Sequence, residues 1–456
     1  MKALLISGDR SGTGKTSISL ALASLLSARA PVQTFKVGMD YIDPSYLSAV
    51  TGRPCRNLDS FVMGGAEIRA CFAHGCRGAE FALIEGVRGL YEGADALTDR
   101  GSTAGVAKDL GVPVILVVNA RSITRSAAAL VKGFQAFDPS IAIKGVILNN
   151  VAGESHIKKA VTAIEHACGI PVLGAIPYDP RVELTMRHLG LVPYREGSGD
   201  DSFKSRLNEV RDLVAAHVDL DGVIACAAEL DPASAGPSPF TVNRKSDVTI
   251  GVAYDEAFNF YYADLFDLLP ALGARVVTFS PVRGGLPEAE GYIMGGGYPE
   301  LFGPELEANE GMKDGLRAAS SRGTPIYGEC GGLMYLTDRI VLAPGWRGGK
   351  GESFAMCGVF PGETRMPARR VVSYVEGVAS EGPLGNGPFR GHEFHYSDVV
   401  LDKDARYAYR ITRGLGIRDG LDGALVRRTL GSYTHLHPLA SLTMFAAFVQ
   451  ACRARC

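Results

Sequence analysis

The chain has 456 residues, with 47 Lys and Arg against 49 Asp and Glu, so no basic excess marks it as a nucleic-acid binder. Its 46% hydrophobic and 21% charged residues suit a soluble globular protein of two or three domains. MKALLISGDR lacks the apolar core of a secretory signal, no apolar run approaches the ~18 residues of a membrane span, and nine cysteines without C-x-x-C pairs fit reduced thiols, so a cytoplasmic location is expected.

In chain order, ALLI (residues 3–6) reads as a buried strand, followed by GDRSGTGKTS (8–17) and a helical run over Lys15–Leu26. The common phosphate-loop spacing, G-x-x-x-x-G-K-[ST], needs a glycine at residue 9, where Asp stands; Gly8 gives G-x5-G-K-T instead. The strand-to-helix setting makes a nucleotide loop the stronger reading over a ligand-free glycine turn. The backbone at Gly12, Thr13 and Gly14 would cradle phosphates, Lys15 would reach the outer ones, and Thr16 would hold Mg²⁺.

KVGMDYIDPSYL (36–47) puts Asp40 and Asp43 on what reads as a tight turn closed by Pro44. FALIEGVRGLYEG (81–93) ends a buried strand with Glu85, where a second magnesium anchor is expected beside Asp43; a helix-capping acid is the alternative. Glu92 is either substrate-proximal or a loop charge. Helices over Thr103–Leu110, Ile123–Phe134 and Ser155–Cys168 alternate with strands PVILVV (113–118) and KGVIL (144–148). Asn149, after the last strand, faces an adenine edge or is an ordinary turn residue. This βα alternation predicts a doubly wound parallel sheet with ligands at the carboxyl ends of the strands.

Three prolines and many small polar residues in 228–246 read as a linker, dividing the chain into domains at 1–228 and 247–456 with 229–246 between them. A second α/β series begins at DVTIGVAYDEAF (247–258), with strands RVVTF (275–279), GYIM (291–294) and TPIY (324–327). TPIYGECGGLMYL (324–336) places Cys330 on a glycine-flanked strand-to-helix elbow, where a helix N-terminus favours thiolate. The N–H groups of Gly331 and of Gly297, in IMGGGYPEL (293–301), are candidate oxyanion donors, and His435 in GSYTHLHP (431–438) is the candidate base. An inert core thiol is the alternative for Cys330. Cys452 and Cys456 read as thiols of a fraying tail.

The G-x5-G-K-T spacing resembles the dethiobiotin synthetase-like branch of P-loop enzymes, which activate carboxylates. Together, DRSGTGKTS, KVGMDYIDP, RNLDSF, EGVRGLYEG, KGVILNNV, DEAFNFYY, GGGYPEL, GECGGLMYL, RGHEFHYS and SYTHLH resemble the cobyrinic acid a,c-diamide synthase family, in order, from about residue 3 to 448. The resemblance implies an ATP-dependent synthetase domain followed by a class I glutamine amidotransferase-like domain. It implies glutamine as ammonia donor, ATP and Mg²⁺ as cofactors, a Cys330–His435 dyad, and a tetrapyrrole dicarboxylate as substrate. Asp40, Tyr41 and Ile42, just beyond the phosphate site, are expected with Glu92 to contact that macrocycle, a core aromatic being the alternative for Tyr41. EGVRGLYEG, SITRSAAA, RVVSYVEG and SYTHLHP lean toward the branch that amidates Ni-sirohydrochlorin in nickel-coenzyme synthesis; cobyrinate is the alternative acceptor. More distant alternatives are an amidoligase for another carboxylate and a P-loop regulatory ATPase. No membrane or nucleic-acid partner is expected, and a homodimer is the assembly considered. Two departures stand out. Where related glutaminases carry H-x-E this chain has His435-x-His437, leaving no triad acid in view, and HEFH (392–395) is one residue short of a zinc motif.

Overall fold

The computed structural model describes residues 1–179, 200–232, 238–242, 246–346 and 349–454. It resolves into two compact units, Met1–Ser238 and Pro239–Cys456.

In the first unit, strands β1 (Lys2–Gly8), β2 (Val32–Val37), β3 (Arg56–Leu58), β4 (Phe81–Gly89), β5 (Val114–Asn119), β6 (Ile143–Val151) and β7 (Val172–Pro177) line up as β3-β2-β4-β1-β5-β6-β7. Every neighbouring pair is parallel. All six residues of β2 are buried, as is nearly all of β1, because helices cover both faces of such a sheet. Helix α1 (Lys15–Ser27) follows β1 directly and buries Ile18, Leu22 and Leu26 against Leu4, Ile6 and Val117. Because β1 is central, its carboxyl end, and the loop that leaves it, lies where the sheet's winding reverses, the usual ligand position of this topology.

Two expectations change here. Asp43 and Pro44 belong to helix α2 (Ile42–Thr51) rather than to a tight turn. Proline is accommodated in a first helical turn, where its missing N–H has no intrahelical acceptor. Asp40 caps that turn, its Oδ1 accepting from the Ile42 and Asp43 amides at 2.8 and 3.2 Å. The segment read as a linker also begins inside the fold. Ala228–Glu229 pair antiparallel with the start of β1, as strand β8, and the Leu230 amide donates to Met1 O at 2.8 Å. Residues 233–237 and 243–245 of that segment lie outside the described residues.

In the second unit, β9 (Val248–Ala253), β10 (Ala274–Phe279), β11 (Gly291–Met294), β12 (Ile326–Glu329) and β21 (Thr429–Ser432) form a parallel block, β10-β9-β11-β12-β21. The same sheet continues antiparallel through β20 (Leu421–Val426), β19 (Tyr407–Arg413), β16 (Val371–Ala379), β17 (Gly387–His395) and β22 (His435–Leu436). Strands β13 (Thr337–Leu342), β14 (Glu352–Ala355), β15 (Phe360–Met366) and β18 (Asp398–Leu401) make a separate four-stranded sheet. After residue 355, β16, β17, β19, β20, β21 and β22 thus join the large sheet, whereas β15 and β18 go to the separate one. The final helix, Leu442–Arg453, buries Cys452 completely, so this thiol is core rather than fraying tail; Cys456 lies outside the described residues.

Candidate functional sites

The first site is built on the loop between β1 and α1. A Cβ on Gly8 would lie 2.6 Å from Thr13 Oγ1 and 2.8 Å from Arg10 O, so the loop folds back onto this position and only glycine fits. The next residue, Asp9, is buried and doubly held: Oδ1 accepts from the Asn119 amide at 3.3 Å and Oδ2 pairs with Arg10 at 2.6 Å. The displaced glycine is therefore the residue at the close approach, and the Asp ties the loop to β5. Gly14, at φ +87°, sits against Asn149, whose Nδ2 donates to Thr13 O at 2.8 Å. Asn149 thus holds the loop's backbone. A cavity of about 300 Å³ opens along Gly12–Ile18 and Asp43, closed on its apolar side by Ile176, Pro177, Val210 and Leu213.

At the floor of this loop the Thr16 hydroxyl donates to Glu85 Oε1 at 2.7 Å, with Asp43 Oδ2 3.4 Å away. Lys15 Nζ lies 3.3 Å from the same Glu85 oxygen, and Lys36 Nζ lies 2.8 Å from it while also bonding Asp43. Register explains the convergence: Glu85 on β4 is paired with Ile6 of β1 on one side and Lys36 of β2 on the other. Burial, with the Lys36 charge beside it, pushes the Lys15 ammonium below its ordinary value, despite Glu85 and Asp43. Burial opposes the charge on Lys36 too, but Asp43 and Glu85 outweigh it and hold this group above the ordinary lysine value.

Among the described residues no group of three or more His, Cys, Asp and Glu side chains is arranged to hold a metal ion. The donors here are instead two carboxylates and one hydroxyl, and Glu85 Oε2 is buried with no hydrogen-bond partner. Hard oxygen donors with a spare carboxylate oxygen fit a magnesium ion that keeps most of its waters. Half-buried Asp40, Tyr41 and Ile42 lie at the start of α2, on the same turn as Asp43, and Ile42 packs partly against the core. Asn57 fixes the turn before them, its Nδ2 donating to the Gly38 and Asp40 carbonyls at 2.8 Å each. Glu92 is not joined to this cluster by any hydrogen bond among the described residues; its carboxylate folds back over Gly89.

The second site is the elbow between β12 and helix Gly331–Leu336. Cys330 adopts φ +46°, ψ −96°, a conformation rare for a residue with a side chain. It is held by its amide, which donates to Ser432 O at 2.8 Å, and its Sγ lies 3.7 Å from Phe394 O. The glycines make close approaches. A Cβ on Gly332 would lie 2.1 Å from Met294 O, and one on Gly331 would lie 3.0 Å from the Gly297 amide nitrogen. Gly331 and Gly297 are therefore neighbours beside Cys330. The GGG loop is stapled to the 255–262 segment, with Tyr261 Oη accepting from the Gly295 amide at 2.6 Å and the Phe260 amide donating to Gly296 O at 3.1 Å.

His435 hydrogen-bonds Cys330 and is fully enclosed; a Cβ on Gly296 would lie 2.6 Å from its Cε1. The structure supplies a carboxylate that the H-x-H spacing conceals. Glu329 Oε2 stands 3.5 Å from His435 Nδ1, and Glu329 Oε1 accepts from Tyr327 Oη at 2.6 Å and from the Leu436 amide at 3.1 Å. Burial alone would lower the His435 pKa, but Cys330 and Glu329 together raise it to about 10. The second histidine has its own acid: His437 Nε2 lies 3.8 Å from Asp264 Oδ2, with both side chains fully buried. The turn carrying His435 is organised by Asp422, which accepts from Ser432 Oγ, Thr434 Oγ1 and the amides of Tyr433 and Thr434 at 2.7–3.1 Å.

Of the residues chosen from sequence, Lys15, Thr16, Asp43 and Glu85 converge, and so do Cys330, His435, Gly297 and Gly331. Lys36, Glu329 and Asp422 were missed. Lys36 did carry a signal, a cation at the end of a strand otherwise buried on both faces. Glu329 carried none, since a Glu before a nucleophile has no helical or strand period that aims it at a distant imidazole.

The CobQ/CobB/MinD/ParA nucleotide binding domain matches residues 4–192, and the CobB/CobQ-like glutamine amidotransferase domain matches residues 249–442. The chain is 47% identical to a cobyrinate a,c-diamide synthase of Methanosarcina barkeri, over 99% of this chain and 96% of that protein. It is 47% identical to one of Methanosarcina acetivorans (98% and 95% covered) and 42% identical to one of Methanothermobacter thermautotrophicus (97% and 98% covered). Among the described residues no helix is long and apolar enough to cross a membrane. With a nucleotide-binding unit, a glutamine amidotransferase unit and relatives matched along nearly its whole length, the chain belongs to the cobyrinate a,c-diamide synthase family and is an ATP-dependent glutamine amidotransferase ligase.

Proposed function

We propose that the chain converts the a and c acetate side chains of a tetrapyrrole to amides, with Ni-sirohydrochlorin as the acceptor. The observation that supports glutamine-dependent amidation is the pair of clusters, Lys15, Thr16, Asp43 and Glu85 in one unit and Cys330, His435, Gly297 and Gly331 in the other, suited to activating a carboxylate and to releasing ammonia; diamidation is the activity named for the relatives. In the second unit, Cys330 Sγ attacks the side-chain amide carbon of glutamine and His435 passes a proton to the departing nitrogen. Ammonia leaves, and water then hydrolyses the thioester to glutamate. The amides of Gly297 and Gly331 hold the oxyanion in both steps. Glu329 holds the His435 ring by its Nδ1 edge, completing the dyad as a triad.

In the first unit, the substrate carboxylate is a poor electrophile until one of its oxygens attacks the γ-phosphorus of ATP to give an acyl phosphate. Ammonia then displaces phosphate. Lys15 and Lys36 face the transferring phosphoryl group, and the loop from Gly12 to Thr16 holds the nucleotide with Asn149 behind it. Magnesium, which Thr16, Asp43 and Glu85 would hold, supplies charge neutralisation at the phosphate oxygens. Asp40, Tyr41, Ile42 and Glu92 are the proposed contacts to the macrocycle, with Asp40 limited to one free carboxylate oxygen by its capping role.

The nickel substrate is supported by the EGVRGLYEG, SITRSAAA and RVVSYVEG segments. Cobyrinate is the second reading, favoured by the activity named for the relatives above. Purified protein with ATP, Mg²⁺ and glutamine, offered each compound separately, distinguishes them by mass spectrometry. Each carboxyl converted lowers the mass by about one unit. Faster diamidation of cobyrinic acid would overturn the nickel assignment.

A further inference from the structure

The RGHEFHYS segment is not absorbed by the mechanism above. Its strand, β17, places His392 directly opposite His435 of β22, and the two rings stack with centroids 4.8 Å apart and planes inclined by 23°. The approach is enforced by the backbone, since a Cβ on Gly391 would lie 2.3 Å from His435 O. The far side of His392 is fixed as well. Tyr262 Oη lies 3.5 Å from His392 Nδ1, and the Tyr262 ring packs 4.8 Å from the ring of His437, which pairs with Asp264. Two residues on along β17, the Phe394 carbonyl faces Cys330 Sγ at 3.7 Å.

We propose that His392 is a positioning residue for glutamine hydrolysis: its neutral ring, laid against His435, holds that imidazole in the orientation and the protonated form that pair with a Cys330 thiolate. The groups facing His435 include Cys330, Glu329 at its Nδ1 edge, His392 on its face and, beyond His392, Tyr262, His437 and Asp264; His395, stacked on Tyr433 with ring centroids 3.7 Å apart, also acts on the pair, His395 on His435 and Tyr433 on Cys330. A neutral π face attracts a cation laid over it, whereas a second imidazolium there would repel it. Burial, reinforced by the neighbouring His435 and His437, holds the His392 pKa well below its ordinary value and keeps the ring neutral. Glu329 and His392 therefore divide the work, one compensating charge at the ring edge and the other supporting the ring face. The inference rests on reading the second unit as a glutaminase.

The test compares the full chain with His392→Leu, which removes the ring, and His392→Phe, which keeps a ring. The readouts are glutamine hydrolysis and the pH dependence of Cys330 alkylation by iodoacetamide, with the adduct located by mass spectrometry. His392→Leu is expected to move the alkylation midpoint up by about one pH unit. It is also expected to lower kcat about tenfold with little change in KM, and His392→Phe to restore most of both. A His392→Leu profile that superimposes on the unsubstituted one, or a His392→Phe profile displaced as far as that of His392→Leu, overturns the proposal. A second measurement needs no substitution: histidine ring NMR of the intact chain is expected to show His392 neutral wherever glutamine is hydrolysed, and a charged His392 there overturns the proposal even if the variants fail to fold. If the unsubstituted chain neither hydrolyses glutamine nor loses that activity on alkylation, the glutaminase reading falls and this inference with it. If it does both and only the His392 results disagree, the inference falls alone.

Discussion

Glu329 Oε2 stands 3.5 Å from Nδ1 of His435, so the carboxylate beside the candidate base comes from the residue just before the candidate nucleophile, Cys330. Its other oxygen is committed to Tyr327 Oη and the Leu436 amide, which fixes the carboxylate between β12 and β22. One carboxylate therefore anchors both the strand carrying the cysteine and the strand carrying the imidazole.

We predict that Glu329→Gln lowers kcat for glutamine hydrolysis by about 10²-fold, because the base loses its charge partner and its preferred tautomer. Amidation supported by ammonium chloride should persist, since it bypasses the glutaminase. Glutaminase activity within twofold of the unsubstituted protein would remove Glu329 from the triad.

The pH dependence of stability follows from the same pair. His435 titrates at about 10 in the folded chain, above the ~6.5 of an unfolded histidine, so the native state holds the extra proton between these values. That contribution is fully present below about pH 6.5 and is lost as pH rises toward 10. Thermal melts from pH 6 to 9.5 should therefore fall more steeply for the unsubstituted chain than for Glu329→Gln, by at least about 2 °C over the window. Parallel curves would show that Glu329 does not sustain the charge on His435.

Cys330→Ala should abolish glutamine-dependent amidation while leaving ATP-dependent amidation from ammonium chloride at the unsubstituted rate. The cysteine lies in the core of the second unit, whereas Lys15, Thr16 and Glu85 belong to the first. Product formation from glutamine by this variant, measured as mass change of the acceptor, would sink the assignment of Cys330 as nucleophile.

Lys36 is 2% exposed and bridges two carboxylates, so Lys36→Ala would leave Asp43 and Glu85 facing each other with one cation fewer. We expect a loss of about 3–5 kcal/mol in stability, the usual cost of breaking a buried ion pair from one side. Millimolar Mg²⁺ should restore part of it, and EDTA should remove that gain. Denaturant melts with and without Mg²⁺ measure both effects. A variant as stable as the parent would mean that Lys36 is not the charge balancing this pair.

Much of both sites was legible because their features are local. Gly12 and Gly14 take positive φ and Gly8 accepts a close approach, so the loop announces itself within ten consecutive residues. The elbow at Cys330 is similarly local, a buried strand followed by glycines that let β11 and the following helix touch. Pro44 was misread because a proline after Asp suits both a turn and a first helical turn; the Asp40 cap decides between them. Cys452 was misread because the arginines around it suggest solvent, although only one face of its helix meets it.

The sequence by itself determined the βα alternation, the nucleotide loop, the cysteine elbow and the candidate base, since each depends on residue types at adjacent positions. Only the tertiary structure decided that Lys36 pairs with Asp43 and Glu85, that Glu329 lies beside the Nδ1 edge of His435, and that the His392 ring stacks on His435. Those partners meet through strand order and register, which bring side chains far apart in the chain within a few ångströms. No periodicity along one segment encodes the neighbour that another strand will supply.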